Sequence, residues 1–534
     1  MNRPFPRYGL PSMLLSILLA LPAARAQSES RPAEEYRPIA IVGFETAPPI
    51  DDRDTWLPVA IEEVLTARLR RVPGTAAIPT IRCYQARREL QDADAGPAAE
   101  WPRVARLLGA RYRLHGRISG QPTALKIDLR LDDIRGGTSD TLSLGPVGLF
   151  DALNETTSWT LARLGHTRID AALEKTILAA PCSTPSALEY FAKAIRATRE
   201  DNARDALYYS EQAVQYDPMY RGAQLHLVQL EMRLKPQTRA TAGVRLKRLW
   251  DYVRELNDLV DQAEIEHAQG ALLMMARSTD SARLRFESAL EIARRQRDPY
   301  AQIGAMSSLA DAWATAAALT LDAETGPEDQ RKADAKAALA KAVEWQIQTL
   351  DLLKSLGDVI AEAPTAIRTA VLYEQLEDKP RALEMYRRTL AASEAAESRR
   401  AQATAWMFIG QSLRGQDRAA DAIDATRKAL DLAEAAALPR VHLALADLFQ
   451  EKSVNKPEDA ARHLELALKG ARESKDLVDE LRALRAFADL HVAQGRSKDA
   501  LKLLTDAADI AHALGATRDK DAILKQIEAL KAKP

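Results

Sequence analysis

The sequence predicts an α+β domain at the N-terminus followed by an all-α solenoid of helical repeats. Three observations support this fold class. Strand-like and helix-like segments alternate up to about residue 165, strand signals almost disappear after residue 184, and one pattern of small and large side chains then recurs at intervals near 40 residues. With 534 residues, the chain is long enough for both parts.

The first 26 residues have the features of a cleavable export signal. Arg3 and Arg7 precede an apolar run over residues 14–21, which is followed by the small-x-small cleavage site Ala24-Arg25-Ala26. The apolar run is short for a membrane span, although an uncleaved signal anchor is the alternative. We therefore expect a periplasmic or secreted protein that begins near Gln27, has a flexible lead-in over residues 27–36, and has no transmembrane segment after signal removal.

Residues 37–165 are predicted to form the α+β domain. RPIAIVGFET is predicted as a strand, WLPVAIEEVLTARLRRVP as a helix, TAAIPTIRCY as a second strand and EWPRVARLLGA as a second helix. Three short strands follow, and then a helix over about residues 148–164. LKIDLRL alternates apolar and polar side chains, which is typical of a half-solvated antiparallel strand.

This segment resembles the TolB-like N-terminal domain. The matching residues are Gly43-Phe44, Leu65, Leu69, Pro73-Gly74, Leu108-Gly109-Ala110-Arg111-Tyr112 and Gly116. The resemblance implies a docking module of the bacterial cell envelope, and none of the matching residues is a catalytic group.

Residues 166–183 are predicted as a linker, and repeats are predicted from residue 184. The repeated pattern is a small residue, a large one four positions later, and a small one three positions after that. Copies that fit it begin at Ala282, Ala422, Ala460 and Ala500, and looser copies begin at Ala206, Ala242, Ala335 and Ala382. Successive starts along the chain are separated by 36, 40, 53, 47, 40, 38 and 40 residues. Two antiparallel helices can approach closely where such small residues face each other.

The pattern resembles the tetratricopeptide repeat, with Gly410 as a small residue of a first helix and Ala422 and Ala429 on the second. We expect about eight repeats over residues 184–515, with longer helices than the usual 34-residue unit. The 53-residue interval predicts a loop insertion at about 319–334, and residues 516–534 predict a capping helix.

The sequence lacks the motifs of the common enzyme and cofactor sites. It contains no H-E-x-x-H, G-x-S-x-G, G-x-x-x-x-G-K-[ST] or G-x-G-x-x-G motif, and no two of its eight histidines lie within four residues of each other. The 74 basic and 75 acidic residues nearly balance, so nothing indicates nucleic-acid binding. We predict no catalytic residue, no cofactor and no metal.

Cys83 and Cys182 flank the predicted domain. They either form a disulfide, which an oxidising compartment permits, or remain two partly buried thiols.

A peptide-binding groove is predicted on the first helices of the C-terminal repeats. The repeat frame places in it Thr404, Met407, Gln411, Arg414, His442, Leu445, Phe449, Lys452, Arg482, Arg485 and Asp489. Arginine side chains match carboxylates, so an acidic peptide or a free C-terminal carboxylate would fit. The alternatives are that Arg482 and Arg485 only keep a helix soluble, and that Met407, Leu445 and Phe449 belong to the core between repeats.

These features together predict a non-catalytic adaptor or scaffold of the bacterial cell envelope. Its N-terminal domain would dock one component, and its repeats would hold a partner protein or peptide. The alternative is a sensory or regulatory component of an envelope signalling system, with an enzyme or a small-ligand carrier as a further one. The identity of the partner and the oligomeric state are not specified by the sequence.

Overall fold

The computed structural model describes residues 36–48, 54–90, 97–323 and 325–532. The predicted signal peptide, and the predicted lead-in as far as residue 35, lie outside the described residues. None of the helices in the described part combines the length and the apolar composition needed to cross a bilayer.

A small mixed sheet forms the centre of the N-terminal domain. Its strands are β1 (Ile39–Ile41), β2 (Glu45–Thr46), β3 (Tyr112–Gln121), β4 (Ala124–Asp133) and β5 (Thr138–Val147). β1 and β2 both pair in parallel with β3, which is followed by antiparallel β4 and β5. In β4, burial alternates residue by residue from Ala124 to Leu131, as its apolar and polar alternation predicts.

Four helices accompany the sheet. They are α1 (Leu57–Arg70), α2 (Thr80–Glu89), α3 (Pro97–Leu107) and α4 (Leu149–Arg163). The apolar residues Leu57, Ile61, Val64, Leu65 and Leu69 of α1 are buried, and α1 and α4 pack together against the sheet. An N-terminal sheet domain followed by helices confirms the predicted order of the two parts.

The segment predicted as the second strand, TAAIPTIRCY, does not form a strand in the structure. Only Ala77 forms a single parallel bridge with Ile39, and the chain turns into α2 after Pro79. The helix buries Thr80, Cys83 and Ala86, so packing overrides the β-branched composition of this stretch.

The predicted linker is partly helical and packed. Helix α5 (Ala171–Leu178) begins at Asp170, whose side chain accepts a hydrogen bond from the Ala172 N–H. Ile177 and Cys182 are buried in the same core cluster as the sheet residues. The connection to the repeats is therefore held against the N-terminal domain.

Eight antiparallel helical hairpins follow in the part of the chain that the structure describes. Their first helices are α6 (Pro185–Arg199), α8 (Arg221–Leu234), α10 (Leu259–Met275), α12 (Pro299–Asp322), α14 (Val359–Gln375), α16 (Arg399–Arg414), α18 (Leu438–Gln450) and α20 (Leu477–Ala493). Their second helices are α7 (Ala203–Tyr216), α9 (Arg239–Leu256), α11 (Thr279–Gln296), α13 (Glu328–Leu356), α15 (Lys379–Ala395), α17 (Ala419–Leu432), α19 (Pro457–Ser474) and α21 (Ser497–Ala513). Helix α22 (Thr517–Lys531) packs on α21 after the last hairpin.

The small residues of the repeated pattern lie where the helices of a hairpin meet. All eight alanines that begin the pattern are in second helices, and each is at most 2% exposed. Gly410 faces Thr426 of the opposite helix, and a Cβ at Gly410 would lie 2.5 Å from the Thr426 hydroxyl oxygen. The spacing near 40 residues thus corresponds to one hairpin of the stack.

The long interval after Ala282 contains longer helices where a loop insertion was predicted. Residues 319–322 belong to α12 and residues 328–334 belong to α13. Pro327 and the acidic Glu328 and Asp329 favour a helix start at this point, because they suit the first turn of a helix.

Cys83 and Cys182 are free thiols, so the structure contains no disulfide between them. Both are buried, in two different core clusters of the molecule. Burial raises the pKa of Cys182 to about 12 and raises that of Cys83 as well, with nearby carboxylates adding to both shifts. They therefore act as small apolar core residues.

Candidate functional site

The predicted groove residues on α16 keep a polar surface. Thr404 and Gln411 are exposed, and Met407 is partly buried. Arg414 forms an ion pair with Glu451 and a second, at 3.5 Å, with Asp447. Arg414 therefore joins α16 to the next first helix, α18, instead of remaining available to a ligand.

The predicted residues on α18 divide into core and surface. Leu445 and Phe449 are buried in the core between hairpins, which was the alternative for these apolar positions. Lys452 is exposed and lies beyond the end of α18. His442 is partly buried and its Nδ1 lies 3.0 Å from the Nδ1 of His463 on α19.

Burial lowers the pKa of both histidines, and nearby positive charge lowers each further, although Asp459 opposes the shift of His463. The two ring nitrogens lie within hydrogen-bonding distance of each other. In the described residues, no group of three or more His, Cys, Asp or Glu side chains could hold a metal ion.

The predicted residues on α20 are also involved in contacts between hairpins. Arg485 forms an ion pair of 2.9 Å with Asp519 on α22, and Asp489 accepts a hydrogen bond from Gln526. Arg482 is 62% exposed and pairs with Asp479 in its own helix. Arg485 thus has a structural partner, whereas Arg482 keeps most of its surface in solvent.

The structure also reveals a contact between the N-terminal domain and the solenoid. The loops that join one hairpin to the next carry aspartates at the starts of α10, α12 and α14, namely Asp258, Asp298 and Asp358. Each accepts hydrogen bonds from backbone N–H groups in the first turn of its helix. Each also forms an ion pair with an arginine of the N-terminal domain.

Two of these ion pairs come from the end of α1. Arg71 binds Asp258 at 2.8 Å and Asp261 at 2.9 Å, and Arg70 binds Asp298 at 2.9 Å. The carboxylates of Asp258 and Asp298 are almost completely buried. Burial opposes ionisation of Asp258, but the charge of Arg71 and its hydrogen bond outweigh burial and lower the Asp258 pKa.

The contacts continue along the solenoid. Arg82 of α2 pairs with the buried Asp358, and Arg103 of α3 pairs with Glu397 at 3.2 Å, just before α16. We call these arginine–carboxylate pairs, from Asp258 to Glu397, the docking ladder. In the described residues, Glu397 is the ladder's last carboxylate along the chain.

At the other end of the contact, Arg199 of α6 reaches back into the N-terminal domain. Its guanidinium binds Glu62 at 3.0 Å and Glu63 at 2.9 Å and lies over the Tyr84 ring. Burial raises the pKa of Glu62, although Arg199 opposes that shift. Glu62 also accepts hydrogen bonds from Tyr84 and from the Gly43 N–H.

Apolar packing joins the same two surfaces. One core cluster contains Val42, Ile78 and Leu108 of the N-terminal domain together with Tyr300 and Leu353 of the solenoid. The N-terminal domain and the hairpins consequently belong to one compact unit, Tyr36–Pro534.

Gly109 lies directly against the backbone of the solenoid. A Cβ there would lie 1.9 Å from the Leu356 carbonyl oxygen and 2.8 Å from the Gly357 carbonyl carbon. Gly109 also has a φ of +73°, as expected for the glycine that ends a helix. Both the space and the backbone angle require glycine at this position.

Sequence reasoning did not find the docking ladder. Its aspartates could be identified as helix caps, because each directly precedes a helical segment. Their arginine partners lie 187, 228 and 276 positions away in the chain, so no local pattern links them.

A scan against protein-family models finds no match, and a search of curated proteins finds none. The resemblance of the N-terminal domain to the TolB-like domain thus remains a prediction.

Solved structures with similar helical repeats do exist. A signal transduction ATPase with a tetratricopeptide repeat sensor from Pyrococcus horikoshii matches 70% of this chain and 55% of its own length, with 12% identity and a TM-score of 0.47. Aspartyl phosphate phosphatase F from Bacillus subtilis matches 66% of this chain and 95% of its own, with 13% identity and a TM-score of 0.35. A tetratricopeptide repeat protein from Parabacteroides merdae matches 65% of this chain and 100% of its own length, with 12% identity and a TM-score of 0.33.

The similarities are too low to transfer an activity or a partner from these proteins.

Proposed function

We propose that the protein is a non-catalytic adaptor that binds a partner protein or peptide on the first helices of its C-terminal hairpins. The observation that carries this proposal is where the docking ladder stops. The ladder's carboxylates extend from Asp258 to Glu397, so the preceding hairpins hold the protein's own N-terminal domain. The predicted groove begins at Thr404, and its exposed residues follow on α16, after α18 and on α20.

The chemistry of the exposed residues suits a polar, extended partner. Gln411 supplies an amide that both donates and accepts hydrogen bonds, and Lys452 supplies a positive charge. Arg482 adds a second, largely exposed positive charge. These groups favour a peptide segment with carboxylates, while Met407 supplies a partly buried apolar contact.

We place this adaptor in the bacterial cell envelope. The basic, apolar and small-residue segments over residues 1–26 support export, and the TolB-like resemblance supports an envelope role for the N-terminal domain. Mass spectrometry of the mature N-terminus tests the export step directly. A protein that retains residues 1–26 in the envelope fraction would favour the signal anchor.

The binding surface is tested by introducing a negative charge at each of two exposed positions. The double variant Gln411→Glu, Lys452→Glu should reduce the yield of a partner cross-linked to the protein in the native envelope, because it places two negative charges opposite an acidic segment. Neither side chain is buried, so thermal stability should stay the same.

The matched control is Lys469→Glu on α19, a second helix, where the lysine side chain is 72% exposed. This variant should cross-link the partner as the unchanged protein does. Equal cross-linking by the double variant and the control would refute the proposed surface. A partner that maps to the N-terminal domain alone would do the same.

A further inference from the structure

A cavity of about 530 Å³ lies between the N-terminal domain and the first hairpins. Helix α1 lines it from the N-terminal domain, with Thr66, Arg68 and Arg71 among its residues. The first helices α6, α8 and α10 line it from the solenoid. Its volume is within the range of small-molecule sites in proteins.

Most of the charged groups around this cavity are paired with one another. Arg71 and Arg221 share Asp258 and Asp261, and Arg70 binds Asp298 and Glu264. Glu63 binds Arg199. These groups leave little charge for a ligand to neutralise.

Arg68 is the exception among the buried arginines of the lining. It is 3% exposed, and within the described residues it forms no ion pair. Its Nη atoms donate only to neutral acceptors, namely the Thr157 hydroxyl, the Asn154 amide oxygen and the carbonyls of Leu178 and Ala179. Its Nε–H has no hydrogen-bond acceptor in the described part of the chain.

Arg68 nevertheless remains charged at neutral pH. Burial lowers its pKa to about 10, with a further contribution from the nearby charge of Arg71. A buried cation without a counter-ion is costly, and an anion that entered the cavity would offset this cost.

The rest of the lining is suited to an apolar body. Val64, Ile177, Phe191, Ile195 and Leu225 all contribute to it. A single uncompensated buried guanidinium balances one negative charge, and the neighbouring acids Asp261 and Glu264 disfavour a dianion.

We propose that this cavity binds a small organic monoanion, a carboxylate carried on an apolar body, with Arg68 as the charged contact. The site is separate from the groove on the C-terminal hairpins. Because its walls come from both the N-terminal domain and the solenoid, a bound ligand would also stabilise the contact between them.

The test is calorimetric titration of the mature full-length protein with benzoate and hexanoate, each compared with its neutral amide, benzamide or hexanamide. At least one carboxylate should bind saturably with one site per chain, and its amide should bind about tenfold more weakly or not at all, because it lacks the charge that Arg68 requires. Absence of saturable binding by both carboxylates up to about 10 mM, a concentration that detects even weak sites, would overturn the proposal. Equal binding of a carboxylate and its amide would also overturn it.

Two variants locate the site. Arg68→Gln should abolish carboxylate binding, and Ile195→Trp, which fills the apolar part of the cavity, should also abolish it. Arg381→Gln, an exposed arginine on α15, is the control and should leave binding unchanged. If Arg68→Gln does not fold, Ile195→Trp decides the question, and unchanged affinity in that variant would place the ligand elsewhere.

Discussion

Replacing Gly109 by alanine tests whether the N-terminal domain is seated against the solenoid as the structure shows. The new Cβ would lie 1.9 Å from the Leu356 carbonyl oxygen, whereas real Cβ atoms essentially never approach closer than 3.0 Å. The two backbones must therefore separate by at least 3.0 − 1.9 = 1.1 Å. Neither is a flexible side-chain end, so we expect the docking contact to loosen.

The size of the effect can be isolated with Gly137→Ala. Gly137 has a similar φ of +67°, but a Cβ there would meet nothing within 4 Å. Both variants carry the cost of a left-handed alanine, about 1–2 kcal/mol. Gly109→Ala adds overpacking of about 1–3 kcal/mol, so it should be less stable than Gly137→Ala by that amount.

Urea unfolding followed by circular dichroism measures this difference, and amide hydrogen exchange locates it. Gly109→Ala should increase exchange in α2 and in the first turn of α14, whereas Gly137→Ala should not. Equal stability and equal exchange in the two variants would refute the close backbone contact between the domain and α13.

Three other predictions follow from the packing and charges of the structure. Arg71→Met removes the positive charge beside two buried aspartates and should lower the free energy of urea unfolding by about 3–5 kcal/mol. Arg381→Met removes a largely exposed ion pair and should lower it by less than about 1 kcal/mol. Similar losses of stability in the two variants would contradict a buried docking ladder. Gly410→Ala should destabilise the protein by about 1–3 kcal/mol, because its Cβ would lie 2.5 Å from a buried hydroxyl. At Gly304 a Cβ meets nothing within 4 Å, so Gly304→Ala should stabilise α12 by up to about 1 kcal/mol. If both variants changed stability in the same direction, the close helix crossing at Gly410 would be contradicted. Burial lowers the pKa of His226 to about 4. The contribution of the neutral imidazole to stability is therefore complete above the unfolded-state pKa of about 6.5 and is lost as the pH falls toward 4. His226→Gln should flatten the curve of stability against pH between these values, and an unchanged slope would refute the lowered pKa of His226.

The repeats could be predicted from the sequence because their packing is local. The small residue on each second helix meets a first helix about twelve positions earlier, as Gly410 and Ala422 do, so one hairpin contains both sides of the contact. The alternation in β4 is local in the same way. Whether residues 75–84 form a strand or enter a helix cannot be predicted in this way, because it depends on how Cys83 and Ala86 are buried against elements distant in the sequence.

The groove residues show the same division. Their positions on first helices follow from the repeat frame, but their availability depends on neighbours in the next hairpin. Arg414 and Arg485 pair with residues 37 and 34 positions later, so they stabilise the stack and are poor choices for a binding test. Charge reversal at Arg485 would bring a carboxylate to Asp519 and lower stability, contrary to what an exposed groove arginine would do.

The docking ladder limits how the proposed adaptor could work. Two modules joined by a flexible linker would gain affinity through effective concentration, and each would sample its own partner. Here, buried pairs such as Arg71–Asp258 and Arg82–Asp358 fix the N-terminal domain on the solenoid. The same aspartates cap the helices they begin, so separating the domain would remove the arginine partners from carboxylates at the starts of several hairpins. A partner bound to α16, α18 or α20 would therefore meet a solenoid whose preceding hairpins already hold the N-terminal domain. Conformational coupling between the partner and the domain would then be carried by the packed hairpins between them.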